Sequence, residues 1–236
     1  MAAYLNQVLF GFYPYIALSV FVIGSAVRFD REQYTWRSGS SQLLRRKLLF
    51  WGSNCFHIGV LAILAGHFAG LLTPHEVYSA LGVSAGAKQL AAMILGGAFG
   101  ILCFTGLTLL IYRRLADPRI RAASSRMDIA ILLLLYAQLI LGLASIFVSA
   151  HHLDGSEMLK LAGWAQHIVT LRGGAADLIA GVNPIFKLHI FLGLTIFLVF
   201  PFSRLVHIWS APAGYLTRPY QVVRRRGGAT ALREGR

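Results

Sequence analysis

Four histidines lie inside long apolar stretches of this 236-residue chain, and their type and spacing suggest a specific chemistry. His57 and His67 share one stretch, and His189 and His207 share another. A membrane penalises polar side chains, so histidines at such depth are retained where they pair with another group, and imidazole is a common ligand of metals and haem iron. Two pairs of histidines therefore predict two iron sites.

The composition predicts that these stretches cross a membrane. Hydrophobic residues make up 56% of the chain and charged residues 13%, with a mean hydropathy of +0.63, which is typical of multi-span membrane proteins. A helix needs about 20 residues to cross a hydrocarbon core of roughly 30 Å. We expect five such helices, at about 4–27, 48–72, 89–112, 127–150 and 185–208. The runs are continuously apolar, unlike the alternating strands of a β-barrel, so the predicted fold is an all-α integral membrane bundle.

The basic residues are distributed unevenly, and this asymmetry predicts the orientation of the bundle. Six, five and seven of the 22 Lys and Arg residues lie in 28–47, 113–126 and 204–236, and four lie elsewhere. By the positive-inside rule these clusters lie in the cytoplasm, so the N-terminus is outside and the C-terminus is cytoplasmic. Anionic lipid and the translocation bias account for the net charge of +13, so we expect no nucleic-acid partner.

The connections predict one membrane domain over residues 1–217 and a basic cytoplasmic tail over 218–236. The longest outer connection is 151–184, and it includes the stretch MLKLAGWAQHIVTL. The apolar residues of this stretch have helical spacing but not the length to span, which predicts an amphipathic helix along the outer surface. Asp154 and Ser156 are the candidate N-caps of this helix.

Helix direction determines which histidines can face each other. Under the predicted topology the second span runs outward and the fifth runs inward. His67 and His189 therefore lie toward the outside, and His57 and His207 lie toward the cytoplasm. An antiparallel arrangement brings together the two members of each set at one depth. Two bis-imidazole haem sites stacked across the membrane follow from this arrangement.

Helical phase agrees with this pairing, but the two spacings are unequal. The step from His189 to His207 is 18 residues, which gives whole turns and a rise of about 27 Å in a continuous helix. The step from His57 to His67 is 10 residues, which gives a rise of about 15 Å and a phase offset near 80°. Because the two rises differ, the lines that join the two ligands of each site would have to tilt in opposite senses. The two irons would then lie about 20 Å apart. Pro201 removes a helical hydrogen bond and predicts a kink that would aim His207.

Small residues beside the histidines offer room for a porphyrin. They are Gly59, Gly66 and Gly70 in the second span and Gly193 in the fifth. Close helix packing is the alternative interpretation, because it enriches small residues in any membrane bundle. The remaining histidines are His75, His151, His152 and His167. They lie in the outer connections, and we expect them to be interfacial or proton-handling groups.

The pairing also predicts the type of cofactor. Iron with two imidazole ligands has no open coordination position, so such a site transfers electrons and does not activate oxygen. The chain has no C-x-x-C-H motif, which predicts two haem b groups bound without covalent attachment. A hydrogen bond across helices would explain one buried histidine, whereas four histidines in two matched pairs favour ligation.

Four runs of sequence carry a resemblance to a known family. They are REQYTWRSGSSQLLRRK, FHIGVLAILAGHFAGLLTPH, DGSEMLKLAGWAQ and FPFSRLVHIWSAPAGYLTRPYQ. Over roughly residues 4–226 the sequence resembles the gamma subunit of respiratory nitrate reductase, a membrane cytochrome b that oxidises quinol. The resemblance extends through loops as well as spans, which makes it specific to this family.

The resemblance implies a multi-pass subunit of a heterotrimer in the bacterial cytoplasmic (inner) membrane, active in anaerobic nitrate respiration. Quinol, either menaquinol or ubiquinol, would be oxidised on the outer side with release of protons there. Electrons would pass through the outer and then the inner haem b to an iron–sulfur beta subunit. A molybdenum-containing alpha subunit on the cytoplasmic side would then reduce nitrate, so this chain would be the gamma chain of a quinol:nitrate oxidoreductase.

The resemblance also implies roles for individual residues. The family's outer-haem ligands fall on His67 and His189, and its inner-haem ligands fall on His57 and His207. The family's quinol-site lysine falls on Lys88, and Gly66 and His67 flank that site. From the sequence alone, Lys88 is equally well explained as an interfacial cation that extends its ammonium to water.

Three other functions are open to a helical bundle of this kind. A cytochrome b anchor of another quinone-linked oxidoreductase, such as a sulfur-compound or heterodisulfide enzyme, would have different co-purifying partners. A proton-relay transporter would need unpaired acidic residues inside spans. Nearly all nine acidic residues lie at span ends or in connections, and Asp128 is the closest to a span interior. A purely structural anchor would carry no pigment.

Overall fold

The computed structural model describes residues 1–32, 34, 44–151 and 153–210, and within these ranges it is helical and contains no strand. In chain order the helices are α1 (Ala2–Arg31, with a π-helical turn at Val8–Phe12), α2 (Arg46–Leu72), α3 (His75–Ala80), α4 (Ala85–Ala116), α5 (Pro118–Ala122), α6 (Arg126–Ser149), α7 (Ser156–Val169), α8 (Ala175–Leu178) and α9 (Pro184–Val199). Three-ten turns at Phe200–Phe202 and Arg204–Ser210 follow α9.

Five of these helices are long and apolar enough to cross a membrane: α1, α2, α4, α6 and α9 with the turn that follows it. The predicted all-α bundle of five spans is therefore confirmed. The first four spans match the predicted ranges within a few residues. Two of them, α4 and α6, begin at polar caps. The Ser84 hydroxyl accepts a hydrogen bond from the Ala87 amide at the start of α4, and Ser125 and Asp128 form a capping box at the start of α6.

The fifth span differs from the single helix predicted over 185–208. Helix α9 ends at Val199, and two three-ten turns replace its predicted continuation. Pro201 has no amide hydrogen to continue the helical hydrogen bonds, and here it produces a break and not the predicted kink. His207 lies on the second turn, Arg204–Ser210. The rise calculated for one continuous helix, and the opposite tilts it required, therefore do not apply.

Helices α2 and α4 pack together through glycines. A Cβ on Gly59 would lie 2.6 Å from the Cβ of Cys103, and a Cβ on Gly106 would overlap the backbone nitrogen of Phe56. Neither position has room for a side chain, so these residues allow the two backbones to approach closely. Gly59 therefore serves helix packing, which was the alternative to its making room for a porphyrin.

Most of the amphipathic stretch at 158–171 forms helix α7, which ends at Val169, and the apolar face of this helix packs on the protein. Its buried residues are Ala162, Trp164, Ala165 and Ile168. The Trp164 indole nitrogen donates to the Phe10 carbonyl at 2.9 Å, and the Gln166 amide donates to the Leu71 carbonyl at 3.0 Å. Helix α7 thus connects the start of α1 to the end of α2.

Neither residue predicted as the N-cap of α7 occupies that position. Gly155 does, with a φ of 83°, a backbone conformation that a Cβ would strain. The Asp154 carboxylate instead accepts from the Ser156 amide at 3.3 Å and from the Ser156 hydroxyl at 3.0 Å. The Asp154 carboxylate, one residue before the N-cap, therefore accepts a hydrogen bond from the first backbone amide of the helix.

The two ends of the bundle can be told apart by their contacts. We call the end that carries His67 and His189 the His67 end, and the opposite end the His57 end. The Asn6 amide donates to the Ala176 carbonyl at 2.7 Å, so α1 begins at the His67 end. The predicted boundary between a membrane domain and a tail, at 217, lies outside the described residues.

Candidate functional site

The structure brings the four membrane histidines into two facing pairs. The ring centroids of His67 and His189 lie 6.1 Å apart, and those of His57 and His207 lie 6.3 Å apart. These are the two pairs that helix direction predicts. Helix α2 packs mainly on α4, whereas α9 packs on α1 and α6. The facing rings therefore do not belong to one directly packed helix interface.

Both ring separations fit a metal ion held between two imidazoles. A metal–nitrogen bond is about 2 Å long, and the nitrogen lies about 1 Å from the ring centre, so two axial rings have centroids roughly 6 Å apart. The described residues contain no group of three or more His, Cys, Asp or Glu side chains that could hold a metal ion. Two protein ligands are too few for a bare ion, whereas a haem would need only two nitrogen ligands from the protein. The donor set therefore fits haem.

Three of the four histidines have one ring nitrogen fixed by the backbone. The Nδ1 atoms of His57, His67 and His207 donate to the carbonyls of Ser53 at 2.7 Å, Ile63 at 2.8 Å and Arg204 at 2.6 Å. Metal-binding histidines usually donate their second nitrogen in this way, which sets the tautomer and orients the ring. In these three residues Nε2 is the nitrogen left with a lone pair for a ligand.

His189 is the exception among the four. Its Nδ1 is buried and has no hydrogen-bond partner among the described residues. Its Nε2 lies 3.3 Å from the amide nitrogen of Gln138, whose own Oε1 is also buried and without a partner in the described structure. A Cβ on Gly142 would lie 3.0 Å from the Cε1 of the ring, so this glycine gives the imidazole its space.

The glycines beside the histidines differ in their surroundings. A Cβ on Gly66 or Gly70 would meet no atom of the described structure within 4 Å, so open space lies beside α2 at the His67 end. A Cβ on Gly193 would lie 3.1 Å from the amide nitrogen of Gln138. Gly66 and Gly70 thus leave room for a flat group, while Gly193 makes room for a neighbouring side chain.

Polar contacts hold the backbone where α9 breaks. The Arg28 guanidinium, at the end of α1, donates to the carbonyls of Pro201 at 2.6 Å and Ser203 at 2.9 Å. Carbonyls at a helix end lack their helical partners, and a guanidinium satisfies both of them at once. Arg28 therefore fixes the point from which the turn bearing His207 begins.

Asp128, the acidic residue nearest to a span interior, is already engaged. Its carboxylate accepts from the Ser125 amide at 3.1 Å and lies 3.9 Å from both the Arg114 and the Arg204 guanidinium groups. A backbone amide and two guanidinium groups therefore lie against this carboxylate. The unpaired acid that a proton relay would need is therefore not found at this position.

Lys88 is buried at the start of α4 and does not extend its ammonium to the surface. The ammonium nitrogen lies 3.9 Å from the ring centroid of Tyr78, in a cation–π contact. The Tyr78 hydroxyl donates to the carbonyl of Ala69, two residues from His67, at 2.5 Å. Tyr78 has no distinguishing signal in the sequence, because an aromatic residue in a membrane connection ordinarily marks the interface.

Comparison with known proteins finds relatives of the whole chain. The family described as nitrate reductase gamma subunit matches residues 6–226. The chain is 56% identical to the respiratory nitrate reductase 1 gamma chain of Escherichia coli (strain K12) over 223 residues, which are 94% of this chain and 99% of the relative. It is 53% identical to the respiratory nitrate reductase 2 gamma chain of the same strain, over 96% of this chain and all of the relative. Identity to the nitrate reductase gamma chain of Bacillus subtilis (strain 168) is 41%, over 94% of this chain and 99% of the relative.

Proposed function

Because the chain belongs to the nitrate reductase gamma subunit family, we propose that it is the membrane anchor and the quinol-oxidising, dihaem cytochrome b of a respiratory nitrate reductase. Family membership and the five spans make it a multi-pass membrane subunit of an oxidoreductase complex. The observation that supports the assignment as a dihaem cytochrome b is the geometry of the two facing histidine pairs. Their ring separations, 6.1 Å and 6.3 Å, would let each pair hold one iron between two imidazoles.

In this proposal His67 and His189 hold one haem b, and His57 and His207 hold the other. When bound, the two groups supply one-electron carriers that link quinol to an iron–sulfur subunit. The protein's own part is to orient the imidazoles. The backbone carbonyls that accept from Nδ1 in three of these residues fix the tautomer that binds through Nε2.

We place the quinol site at the His67 end, beside Lys88, Gly66 and His67. Lys88 makes no ion pair among the described residues, and its ammonium is desolvated above an aromatic ring. A buried cation of this kind stabilises negative charge that develops on a quinol oxygen as the oxygen loses its proton. The open space beside Gly66 offers room for the ring of the quinol.

We propose that the His67 end faces outward, because the basic clusters of the sequence lie toward the other end. A quinol oxidised there becomes a quinone and gives up two protons outside and two electrons that move inward. The electrons go to an iron–sulfur beta subunit and a molybdenum alpha subunit on the cytoplasmic side of the bacterial inner membrane. Each charge that crosses against 100 mV stores about 2.3 kcal/mol, so quinol oxidation contributes to the proton-motive force.

The proposal is tested by optical spectroscopy of the complex purified from cells supplied with haem. We expect two b-type signals in the reduced-minus-oxidised spectrum, both reduced by menaquinol or ubiquinol and both reoxidised by nitrate. A colourless complex would refute the assignment of the histidines. Co-purification with subunits of a different oxidoreductase would refute the assignment to nitrate respiration while leaving the cytochrome intact.

A further inference from the structure

We propose that Gln138 is the hydrogen-bond acceptor for His189 and thereby sets the reduction potential of the haem at the His67 end. This inference rests on the proposed function, since it takes His189 to be an iron ligand. It concerns the one histidine of the four whose Nδ1 has no backbone carbonyl in the described structure.

Two buried atoms without partners lie on side chains that are already in contact. One is Nδ1 of His189, and the other is Oε1 of Gln138. Among the described residues neither atom has a hydrogen bond, although the side chains approach to 3.3 Å between their Nε2 atoms. An unsatisfied donor and an unsatisfied acceptor in a buried site are unfavourable separately and complementary together.

A glycine on each of the two helices leaves space for the side chains of this contact. Gly142 on α6 lies against the imidazole, where a Cβ would come within 3.0 Å of its Cε1. Gly193 on α9 lies against the amide, where a Cβ would come within 3.1 Å of the Gln138 nitrogen. Each helix therefore has a glycine opposite the other helix's polar side chain, which lets the two groups meet in an otherwise apolar interface.

Iron ligation determines which atoms of the two side chains must pair. A neutral imidazole that binds iron through Nε2 carries its proton on Nδ1. The other three histidines donate that proton to a backbone carbonyl, and His189 has none available in the described structure. With Nε2 given to iron, the Gln138 amide would no longer pair with that atom and would be able to present Oε1 to the Nδ1 proton. Both unsatisfied atoms then have partners.

The hydrogen bond has a redox consequence. An acceptor at Nδ1 makes the imidazole a stronger electron donor, which stabilises the ferric state more than the ferrous state and lowers the reduction potential. Removing the acceptor should therefore raise the potential of the haem at the His67 end. The haem at the His57 end should not respond, because its ligands use backbone carbonyls that no side-chain substitution at Gln138 removes.

The test compares Gln138→Met with Gln138→Glu in the complete complex, by optical redox titration. Methionine keeps the size and the unbranched shape of glutamine but lacks a strong acceptor, so we expect a higher potential at the His67 end alone. Glutamate keeps an acceptor oxygen whether or not it is ionised, so we expect a potential that is unchanged or lower. Gln166→Met is the matched control, because it removes an amide that binds the Leu71 carbonyl at the same end.

The possible outcomes separate the inference from the proposed function. An unchanged potential in Gln138→Met, or a rise in Gln138→Glu as well, would overturn the role of Gln138. Loss of the haem from the methionine variant alone would support the role, and loss from both variants would contradict it. A wild-type complex without any b-type signal would instead refute the proposed function, and the inference would fall with it.

Discussion

The two histidine pairs have similar ring separations, 6.1 Å and 6.3 Å, yet their ligands are positioned in different ways. At the His67 end, both histidines lie within regular helices, α2 and α9. At the His57 end, His207 lies beyond the end of α9 on a three-ten turn, next to a backbone break held by Arg28. One pair is thus placed by helix geometry, and the other depends on a charged side chain from a third helix.

The surroundings of the two pairs show the same difference. At the His67 end, mainly neutral side chains donate to backbone carbonyls, Trp164 to Phe10, Gln166 to Leu71 and Asn6 to Ala176, together with the charged Lys187, which donates to Ala180. At the His57 end, charged side chains connect the elements: Arg45 to Asp117, Arg113 to the Leu44 carbonyl, and Arg114 and Arg204 to Asp128. Charged contacts that solvent reaches are weakened by salt and by acid, whereas hydrogen bonds between neutral groups depend much less on either. We therefore expect the His57 end to be the more sensitive to both.

The largest effect is expected from replacing a ligand. His189→Ala should remove the haem at the His67 end and leave the other, because an imidazole on only one side holds the iron weakly. His207→Ala should do the reverse. Haem content per chain should fall by about half in each variant, and the reduced-minus-oxidised spectrum should lose a different component.

The matched control for the ligand variants is His151→Ala. The Nδ1 of His151 donates to the Phe147 carbonyl at 2.8 Å, as a ligand's does, but no imidazole faces this ring among the described residues. Both haems should remain in this variant. Two intact haem spectra in His189→Ala would show that the facing pair at that end does not hold iron.

A second, smaller effect is expected at Lys88, which lies at the His67 end. Lys88→Ala should slow quinol oxidation by about 10²-fold, the usual cost of removing one charge-stabilising group, while both haems remain. Tyr78→Phe keeps the ring under the ammonium but loses the bond to the Ala69 carbonyl, so the rate should fall less. The measurement is the steady-state rate with a quinol analogue, beside a haem spectrum.

Lys187→Ala is the control for this prediction. Lys187 lies at the same end, but it donates to the Ala180 carbonyl at 2.6 Å and to Asn6 at 3.2 Å. The variant should oxidise quinol at nearly the normal rate. Equal losses in the two lysine variants would mean that positive charge at this end acts generally and that Lys88 has no specific place beside the quinol.

A third effect distinguishes the two ends directly. Arg28→Gln removes the guanidinium that donates to the carbonyls of Pro201 and Ser203, and a hydrogen bond to a charged group contributes about 1.5–3 kcal/mol. We expect about a tenfold loss of haem affinity at the His57 end and little change at the other, measured by haem retention during dilution. Arg31→Gln, at an exposed position on the same helix, should retain both haems. An equal loss at both ends would contradict the contrast between them.

The spans and the histidine pairs could be predicted from the sequence because each depends on summed or periodic properties. Hydropathy over about 20 residues averages many side chains, and helix direction alone places residues at matching depths. The break at Pro201 could not be located in this way. A proline in a membrane helix often causes only a kink, and the side chain that contacts the break, Arg28, lies more than 170 residues earlier in the chain.

The polar partners of the site were harder to predict, because they depend on tertiary contacts between common residue types. The Nδ1 bonds of His57 and His67 run to carbonyls four residues back, so they follow from helix geometry. The contact of Gln138 with His189 joins two helices and has no local signal. Two of the glycines of α2 show the same limit: Gly59 packs against Cys103, whereas Gly66 faces open space.

The smallest effect is expected at Asp117, between α4 and α5 at the His57 end, and it depends on pH. The Arg45 guanidinium donates to this carboxylate at 3.0 Å, and that hydrogen bond, with two backbone amides of α5, lowers the pKa of the carboxyl below its usual 3.8. A carboxyl with a lower pKa in the folded state adds stability that is complete above the unfolded pKa and is lost as pH falls through the folded pKa. Asp117→Asn should therefore slightly lower the unfolding temperature near neutral pH, and the difference from wild type should shrink in acid.

Thermal unfolding in detergent at two pH values checks this prediction, with Asp30→Asn as the control. Asp30 lies in an exposed ion pair with Arg31 at 3.8 Å, which should contribute little at either pH. Asparagine at 117 can still accept from the amides of α5, so the substitution isolates the charge from the helix cap. If Asp117→Asn lowers the unfolding temperature equally at both pH values, the contact acts through its shape and not its charge. The charged contacts that distinguish the His57 end would then be those of Arg28 and those of Asp128 with Arg114 and Arg204.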